Sequence, residues 1–340
     1  GVFALWIVLA AWMTETAGEE PPNGGPLGDP FVSGALSSSL AIDGYLIVCG
    51  LMAARAARGG ARDLADLPRF IFWRTLRFAP ALATGFALFF SAETALQVAG
   101  LPGAASYFAV NPLAIPIAAA FIGSVLIGAA NVVGALNGAI GRAGLAAFVS
   151  ACVAMRMTPG IEMTTAADIA IRLGAAFTLG VFLDSVASSG RIARSIRRLK
   201  AKNAGGIETA ALIAMVAVMS LTPLAAAPAI PVAMAGYFLI FTRSRGVCAD
   251  NVLCAPMMLE LGRAAAPMIS CAFIITWPLA DFGRAFSIGD FTSAVVLAPL
   301  FVLAVFGLAF AVRRLAENPA RAFSLKLREG ARRHLVVDRV

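Results

Sequence analysis

The sequence predicts an all-α membrane protein of about ten transmembrane helices, with the N-terminus and the C-terminus in the cytoplasm. Its 340 residues are 60% hydrophobic and only 14% charged, whereas a soluble domain carries about 25% charged residues. Apolar runs recur along the chain, several of them near the roughly 20 residues that a helix needs to cross a bilayer. Basic residues collect in alternate loops between these runs, as they do in membrane proteins with a fixed orientation.

The first five predicted spans are separated by loops of different composition. Residues 1–14 are apolar but short, and they lack an initiator Met and a basic leading segment, so we expect the remainder of a first helix and not a signal peptide. An acidic loop rich in Pro and Gly follows at 15–33, and a basic loop at 54–77. Prolines mark the turn region 99–112, and Arg142 marks a short loop. These spans are predicted at 1–14, 34–53, 78–98, 113–136 and 143–156.

The last five predicted spans are bounded in the same way. A strongly basic loop follows residue 188, and Thr222-Pro223 interrupts the apolar sequence between two shorter spans. The segment 243–263 is predicted to be a loop, and Asp281 and Asp290 bound the connection before the final span. These spans are predicted at 169–188, 208–222, 228–242, 264–280 and 291–312. The chain is therefore predicted to form one transmembrane domain at 1–312 and a basic cytoplasmic tail at 313–340.

The distribution of charge orients the predicted helices and excludes nucleic-acid binding, and the cysteines exclude a metal site. With the N-terminus inside, every basic residue except Arg156, Arg172 and Arg284 falls on the inner side, and the acidic loops fall on the other side. A net charge of +8 could indicate nucleic-acid binding, but these charges lie at helix ends and not on one soluble face. The five cysteines match neither a disulfide framework nor a metal site, so no metal or resident cofactor is expected.

Arg74 and Arg77 are the leading candidates for a binding site. They are three residues apart at the predicted start of the third span, so they share one helix face. Guanidinium groups at the inner membrane surface suit phosphate groups, such as those of coenzyme A or a lipid, because they can donate two hydrogen bonds at once. The alternative is that these charges only set the topology.

Other polar residues within or beside the spans are candidates because burying them in lipid is costly. Asp43 lies near the middle of the second predicted span, either as a functional acid or as one paired to a neighbouring helix. Arg172 could pair with Asp168 one helical turn away, and Asp184 is expected to be solvated or ion-paired near the basic loop after residue 188. Glu317 could pair with an arginine of the first basic loop. The spacing of Gly134 and Gly138 is typical of closely packed membrane helices.

Four segments, in order, resemble motifs of the acyltransferase 3 family, bacterial ten-span membrane proteins that transfer acyl groups to sugars and other acceptors. Asp43 to Met52 resembles its D-x-F-F-x-x-S-G-F-L element, and Arg74 to Pro80 its R-x-x-R-x-x-P element. Leu261 to Arg263, continued at Ile269 to Pro278, resembles its L-G-R-x-S-Y-S-x-Y-L-x-H-P element. Arg313 to Pro319 resembles its closing Y-R-x-x-E-x-P. The resemblance implies the family's helical fold and a donor site at Arg74 and Arg77.

The departures from the family pattern fall at its catalytic positions. The family has a histidine on the first helix as its general base or acyl-handling residue, eleven positions from an arginine. If that arginine would stand just before Gly1, the position of the histidine falls on Ala11, beside Trp12. Trp277 stands where the family often has a histidine before proline, and the only histidine of the chain is His334, in the tail. No acid occurs at 115–130, where the family has its W-S-L-x-x-E element. Loss of a general base typically costs about 10²–10⁴ in rate.

The sequence therefore favours a catalytically inactive acyltransferase-like membrane protein that acts as a binding or accessory subunit of a larger membrane complex. Membrane lipids and other membrane subunits are the expected partners, in a bacterial cytoplasmic membrane. One alternative is an active O-acyltransferase in which Asp43 is the base and Arg74 and Arg77 hold acyl-coenzyme A for a sugar or lipid-linked acceptor. A small-molecule or lipid transporter is a further alternative, although few polar residues are available to line a path.

Overall fold

A computed structural model describes residues 2–17, 38–60, 63–98, 114–134, 138–157, 165–188, 256–285 and 290–320, with scattered positions beyond 193 and beyond 320. All regular structure in these ranges is helical. A short 3₁₀ turn at Leu64–Asp66 precedes the third helix, and a π-helical segment at Arg313–Glu317 continues the ninth. The helices are α1 (Val2–Ala17), α2 (Ser38–Gly60), α3 (Leu67–Val98), α4 (Ala114–Val132), α5 (Gly138–Met157), α6 (Thr165–Ser188), α7 (Pro256–Arg263), α8 (Ala265–Ala285) and α9 (Asp290–Val312).

Among the described residues, three helical stretches are long and apolar enough to cross a membrane, namely Ile115–Val132, Ala167–Ser188 and Val295–Ala320. This confirms a helical protein with membrane-spanning segments. Shorter apolar helical stretches occur at Ala4–Met13 and Ile140–Met155. The predicted spans at 208–222 and 228–242 lie outside the described residues, so the total of ten stays a prediction.

The predicted loop at 54–77 is largely helical. α2 continues to Gly60 and α3 begins at Leu67, so Arg55 and Arg58 lie in α2 and Arg74 lies in α3. Ala and Arg are both strong helix formers, so a segment rich in them stays helical even where its charge no longer suits lipid. A drop in hydropathy therefore marked the edge of the apolar region and not the end of the helix. The predicted loop at 243–263 likewise contains α7 at its end.

α2 lies at the centre of the described helices and packs against α1, α4 and α6. On one side α1 also contacts α8 and α9, and the indole of Trp12 stacks on Phe301 with ring centroids 4.6 Å apart. Both side chains are fully buried, together with Leu46 and Ile47 of α2. The apolar core is therefore built around α2 and the first helix.

α2 and α6 run parallel and touch backbone to backbone. A Cβ at Gly50 would lie 2.0 Å from the carbonyl oxygen of Phe177, and a Cβ at Gly180 would lie 2.0 Å from the carbonyl oxygen of Ile47. Only glycine permits helices to approach this closely. The two glycines lie in different helices, so no glycine spacing within a single helix predicts the contact.

The interpretation of Gly134 as a packing glycine is wrong. Gly134 lies in the turn after α4, where its N–H donates to the carbonyl of Asn131 and its φ is +72°. A Cβ built there would meet nothing within 4 Å. Its role is to adopt the left-handed backbone conformation that ends the helix, which glycine does without steric cost.

Candidate functional site

Asp43 forms a two-bond ion pair with Arg172 between α2 and α6. Asp43 lies in the second turn of α2 and not at mid-span, and its side chain is buried. Oδ1 accepts from the Arg172 Nε at 2.9 Å, and Oδ2 accepts from Nη2 at 2.8 Å and from Nε at 3.2 Å. This matches the planar guanidinium to the planar carboxylate, the strongest geometry available to such a pair. Of the two interpretations of Asp43, the structure supports an acid paired to a neighbouring helix.

The predicted pairing of Arg172 with Asp168 is therefore replaced by a pairing between helices. A pair one turn apart on a partly exposed helix contributes only about 0.2–0.5 kcal/mol. The carboxylate of Asp43 is buried at the helix contact, where an unpaired charge is far more costly. The guanidinium is therefore drawn across to the neighbouring helix.

A second ion pair joins the same two helices further along. Oδ1 of Asp184 accepts from the Arg55 Nε at 3.2 Å, and Arg58 contacts Oδ2. Asp184 is buried, so of the two expectations, a solvated or an ion-paired carboxylate, the structure supports the ion pair, which is formed with arginines of α2. The Arg55–Asp184 and Asp43–Arg172 contacts both join residues 129 apart, as they must if the helices run parallel. At 1.5 Å per residue the two contacts lie about 18 Å apart along the helices.

The charge patterns of the two helices could have predicted these ion pairs from the sequence. An acid precedes a base on α2, and a base precedes an acid on α6, with the same separation on both helices. Two helices with such opposite patterns can satisfy both pairs only if they are parallel and in one register. The pairs therefore set the alignment of α2 on α6 on either side of the contact at Gly50 and Gly180.

The side chain of Arg74, a residue of α3, is buried against the second half of α2. Its Nη2 donates a long hydrogen bond to the carbonyl of Met52 at 3.5 Å, and its guanidinium carbon lies 5.3 Å from the centre of the Phe70 ring. Further along α2, the carbonyl of Ala57 accepts a hydrogen bond at 3.4 Å from the side-chain amide of Asn131, a residue of α4. Polar side chains from α3, α4 and α6 thus meet the last turns of α2. Arg77 lies in α3, but its side chain is outside the described part of the chain.

Glu317 ends the π-helical segment after α9 and is buried. α3, the helix that carries Arg74, packs against this segment. The proposed pairing of Glu317 with an arginine of the first basic loop stays a prediction. Trp277 lies in α8, and its side chain is outside the described residues, as is His334.

Glu260 in α7 is a further polar centre, which sequence reasoning missed. Its Oε1 accepts from Nη1 of Arg263 at 2.5 Å, and its Oε2 accepts from Nη1 of Arg313 in the π-helical segment. The hydrogen bond from Arg313 is the main cause that holds the pKa of Glu260 below its usual range, with the Arg263 hydrogen bond and both positive charges acting the same way against some desolvation. Glu260 and Arg313 are 53 residues apart in the sequence, so no local pattern predicted this contact.

The lowered pKa of Glu260 predicts the pH dependence of its contribution to stability. A carboxyl with a lowered folded-state pKa stabilises the protein above its unfolded-state pKa, near 4.3, and loses that contribution as the pH falls through the folded-state value. The melting temperature of Glu260→Gln should therefore lie below that of the native protein at neutral pH. The difference should shrink as the pH falls below about 4.3, the ordinary pKa of a glutamate. Thermal melting in detergent across this range measures it, and a gap that does not change with pH would contradict the assignment.

Neither metal-binding residues in the described part of the chain nor similarity to known proteins shows what these polar sites do. Among the described residues, no group of three or more His, Cys, Asp or Glu side chains could hold a metal ion. Comparison of the chain with known protein families, curated proteins and solved structures finds no match.

Proposed function

We propose that this chain is a catalytically inactive acyltransferase-like membrane protein, which acts as a binding or accessory subunit of a larger assembly in a bacterial cytoplasmic membrane. The proposal includes ten spans with both termini in the cytoplasm. It depends on the resemblance of the four motif segments and on the state of the positions where acyl transfer would need a proton-transferring group.

The packing of the first helix is the observation that carries the proposal. Where the resemblance expects a histidine, Ala11 stands beside Trp12, whose indole is fully buried and stacked on Phe301. A general base must come within about 2.6–3.2 Å of the proton that it removes, so it needs space for a substrate beside it. The space beside Trp12 is filled by an aromatic ring from α9. This supports a retained helical frame that no longer performs the reaction.

The contacts of Asp43 argue against its use as a substitute base. Both of its oxygens already accept hydrogen bonds from Arg172, which leaves the carboxylate poorly placed to take a proton from an acceptor hydroxyl. The alternative of an active enzyme based on Asp43 would require this pair to open. A paired acid at the contact of two helices is better explained as a structural element.

Arg74 supports a retained binding function more weakly. Its burial and its contacts with Met52 and Phe70 place a guanidinium at the end of α2, close along that helix to Arg55 and Arg58. Two of these arginines are already engaged by the single carboxylate of Asp184. Three guanidiniums thus lie against the second half of α2, and such a group of arginines would suit a phosphate-bearing ligand.

An acyl-transfer assay tests the proposal directly. Purified protein in detergent or lipid nanodiscs, supplied with acyl-coenzyme A, should hydrolyse or transfer no more acyl groups than a protein-free control. A ten-span acyltransferase that has its histidine provides the positive control under the same conditions. Turnover well above the protein-free background would overturn the proposal, whichever residue carries the reaction.

The accessory role makes a separate prediction about assembly. α9 exposes large apolar side chains along much of its length, including Val296, Leu300 and Leu303. Purification in mild detergent should recover other membrane proteins with this chain in fixed proportion. A change of Leu303 to Asn should release them without altering the chain's own melting temperature. A chain that purifies alone from its native membrane would count against an accessory subunit.

A further inference from the structure

The carboxylate of Glu260 joins two arginines that come from different parts of the chain. Arg263 lies one turn further along α7, and Arg313 opens the π-helical segment at the end of α9. Each arginine reaches a different oxygen of the same carboxylate through a single Nη1 atom. Neither therefore makes the two-bond contact that a guanidinium can offer to an anion.

Arg313 keeps a buried donor that Glu260 does not satisfy. Its side chain is 13% exposed, and its Nε is buried with no hydrogen-bond acceptor among the described residues. Buried donors are almost always paired in folded proteins, so one without an acceptor needs an explanation. The segment that carries it is π-helical, and π-helical turns are frequent at functional sites.

The cluster can be reached from outside the protein. The side chains of Glu260 and Arg263 are 40% and 58% exposed. Release of Glu260 from the arginines would thus place its charge in solvent and not in the core. Arg313 also stands where the resembled motif Y-R-x-x-E-x-P has a tyrosine, so the second guanidinium is not part of that pattern.

We propose that Arg263 and Arg313 bind a phosphate monoester, and that Glu260 occupies this site as an internal competitor when the ligand is absent. A phosphate monoester carries about −1.5 to −2 charges near pH 7 and three strong acceptor oxygens. It can accept from both guanidiniums, including the Nε of Arg313, and it matches their two positive charges better than one carboxylate does. The two arginines and the gating acid thus form one site on α7 and the end of α9.

This site does not depend on whether the chain transfers acyl groups. It uses none of Ala11, Asp43 and Arg74. The ligand could come from the headgroup of a lipid such as phosphatidic acid, or from a soluble phosphate monoester. The same chemistry serves both sources, and two probes distinguish them.

Binding to the full-length protein in detergent tests the proposal with short-chain phosphatidic acid, inorganic phosphate and short-chain phosphatidylcholine as separate probes. Arg313→Gln should weaken binding of phosphatidic acid by about tenfold or more, because a charge-assisted contact is lost. Glu260→Gln should tighten it by about tenfold if the native site is filled by Glu260 nine-tenths of the time. Arg314→Gln, at the next residue and exposed, is the matched charge control and should change neither value.

The outcomes distinguish a specific phosphate-binding site from non-specific attraction between the basic protein and anions. Binding of phosphatidic acid alone assigns a lipid headgroup, and competition by inorganic phosphate assigns a soluble ligand. Equal weakening by Arg313→Gln and Arg314→Gln, or weaker binding in Glu260→Gln, would overturn the proposal. If Arg313→Gln does not fold as a single species, Arg263→Gln on the exposed face of α7 gives the same test, and unchanged binding there overturns it.

Discussion

Gly50→Ala should leave little correctly folded protein, because its new methyl group would be placed 2.0 Å from the carbonyl oxygen of Phe177. No side-chain movement relieves this contact, since the opposing atom belongs to the backbone of α6. The helices must separate instead, which also strains the ion pairs on either side of the contact. Overpacking typically costs about 1–3 kcal/mol and sometimes more, and a clash between backbones belongs at the upper end.

Gly180→Ala should have a similar effect, since its Cβ would meet the carbonyl oxygen of Ile47. The double change should cost less than the two single costs added together, because one separation of α2 from α6 relieves both clashes. The measurement is the fraction of protein that stays monodisperse after heating in detergent. It should fall for either single variant at temperatures that the native chain survives.

Gly144→Ala is the matched control for this comparison. Gly144 is also within a helix, but a Cβ there would meet nothing within 4 Å. Replacing a helical glycine by alanine at an open position stabilises a helix by roughly 0.5–1 kcal/mol. The control should therefore melt at or above the native temperature. Equal losses in Gly50→Ala and Gly144→Ala would show that general sensitivity, and not the contact between α2 and α6, explains the result.

The contrast between Gly134 and Gly50 shows what the sequence could predict. Apolar length and charge placed the described helices well enough to establish a helical membrane protein, because lipid requires long apolar segments with internally satisfied backbones. The identity of a packing glycine depends on which helix lies opposite, and no local pattern supplies that. A spacing motif therefore pointed to Gly134, which ends a helix, and missed Gly50 and Gly180.

The polar residues show the same limit. Asp43 and Arg74 were recognisable as candidates because ionisable groups are rare in apolar surroundings. Their partners were not recognisable, since Arg172 is distant in the sequence and Arg74 contacts a backbone carbonyl. Glu260 was not predicted as a site residue because the segment that contains it was predicted to be a loop. Pairing between helices depends on register and direction, which the sequence encodes only through the packing of the whole bundle.

Asp43→Asn should destabilise the protein strongly, because it leaves the guanidinium of Arg172 without its counter-charge at the contact of α2 and α6. Breaking one side of a buried ion pair costs about 3–5 kcal/mol. The side chain of Arg172 is 21% exposed, so the lower end of that range applies. Asp63→Asn, which changes an exposed aspartate in the turn between α2 and α3, should stay within about 0.5 kcal/mol of the native protein.

The double variant Asp43→Asn/Arg172→Gln decides what the pair contributes. Desolvation of two charges nearly offsets their attraction, so replacing both by neutral residues is often close to neutral for stability. The double variant should therefore recover most of the loss seen in Asp43→Asn, as measured by a double-mutant cycle of unfolding free energies. A double variant as unstable as the single one would show that the charges themselves hold α2 on α6. Recovery would show that the apolar contact around Gly50 and Gly180 supplies the stability, while the ion pairs fix the register in which the parallel helices meet.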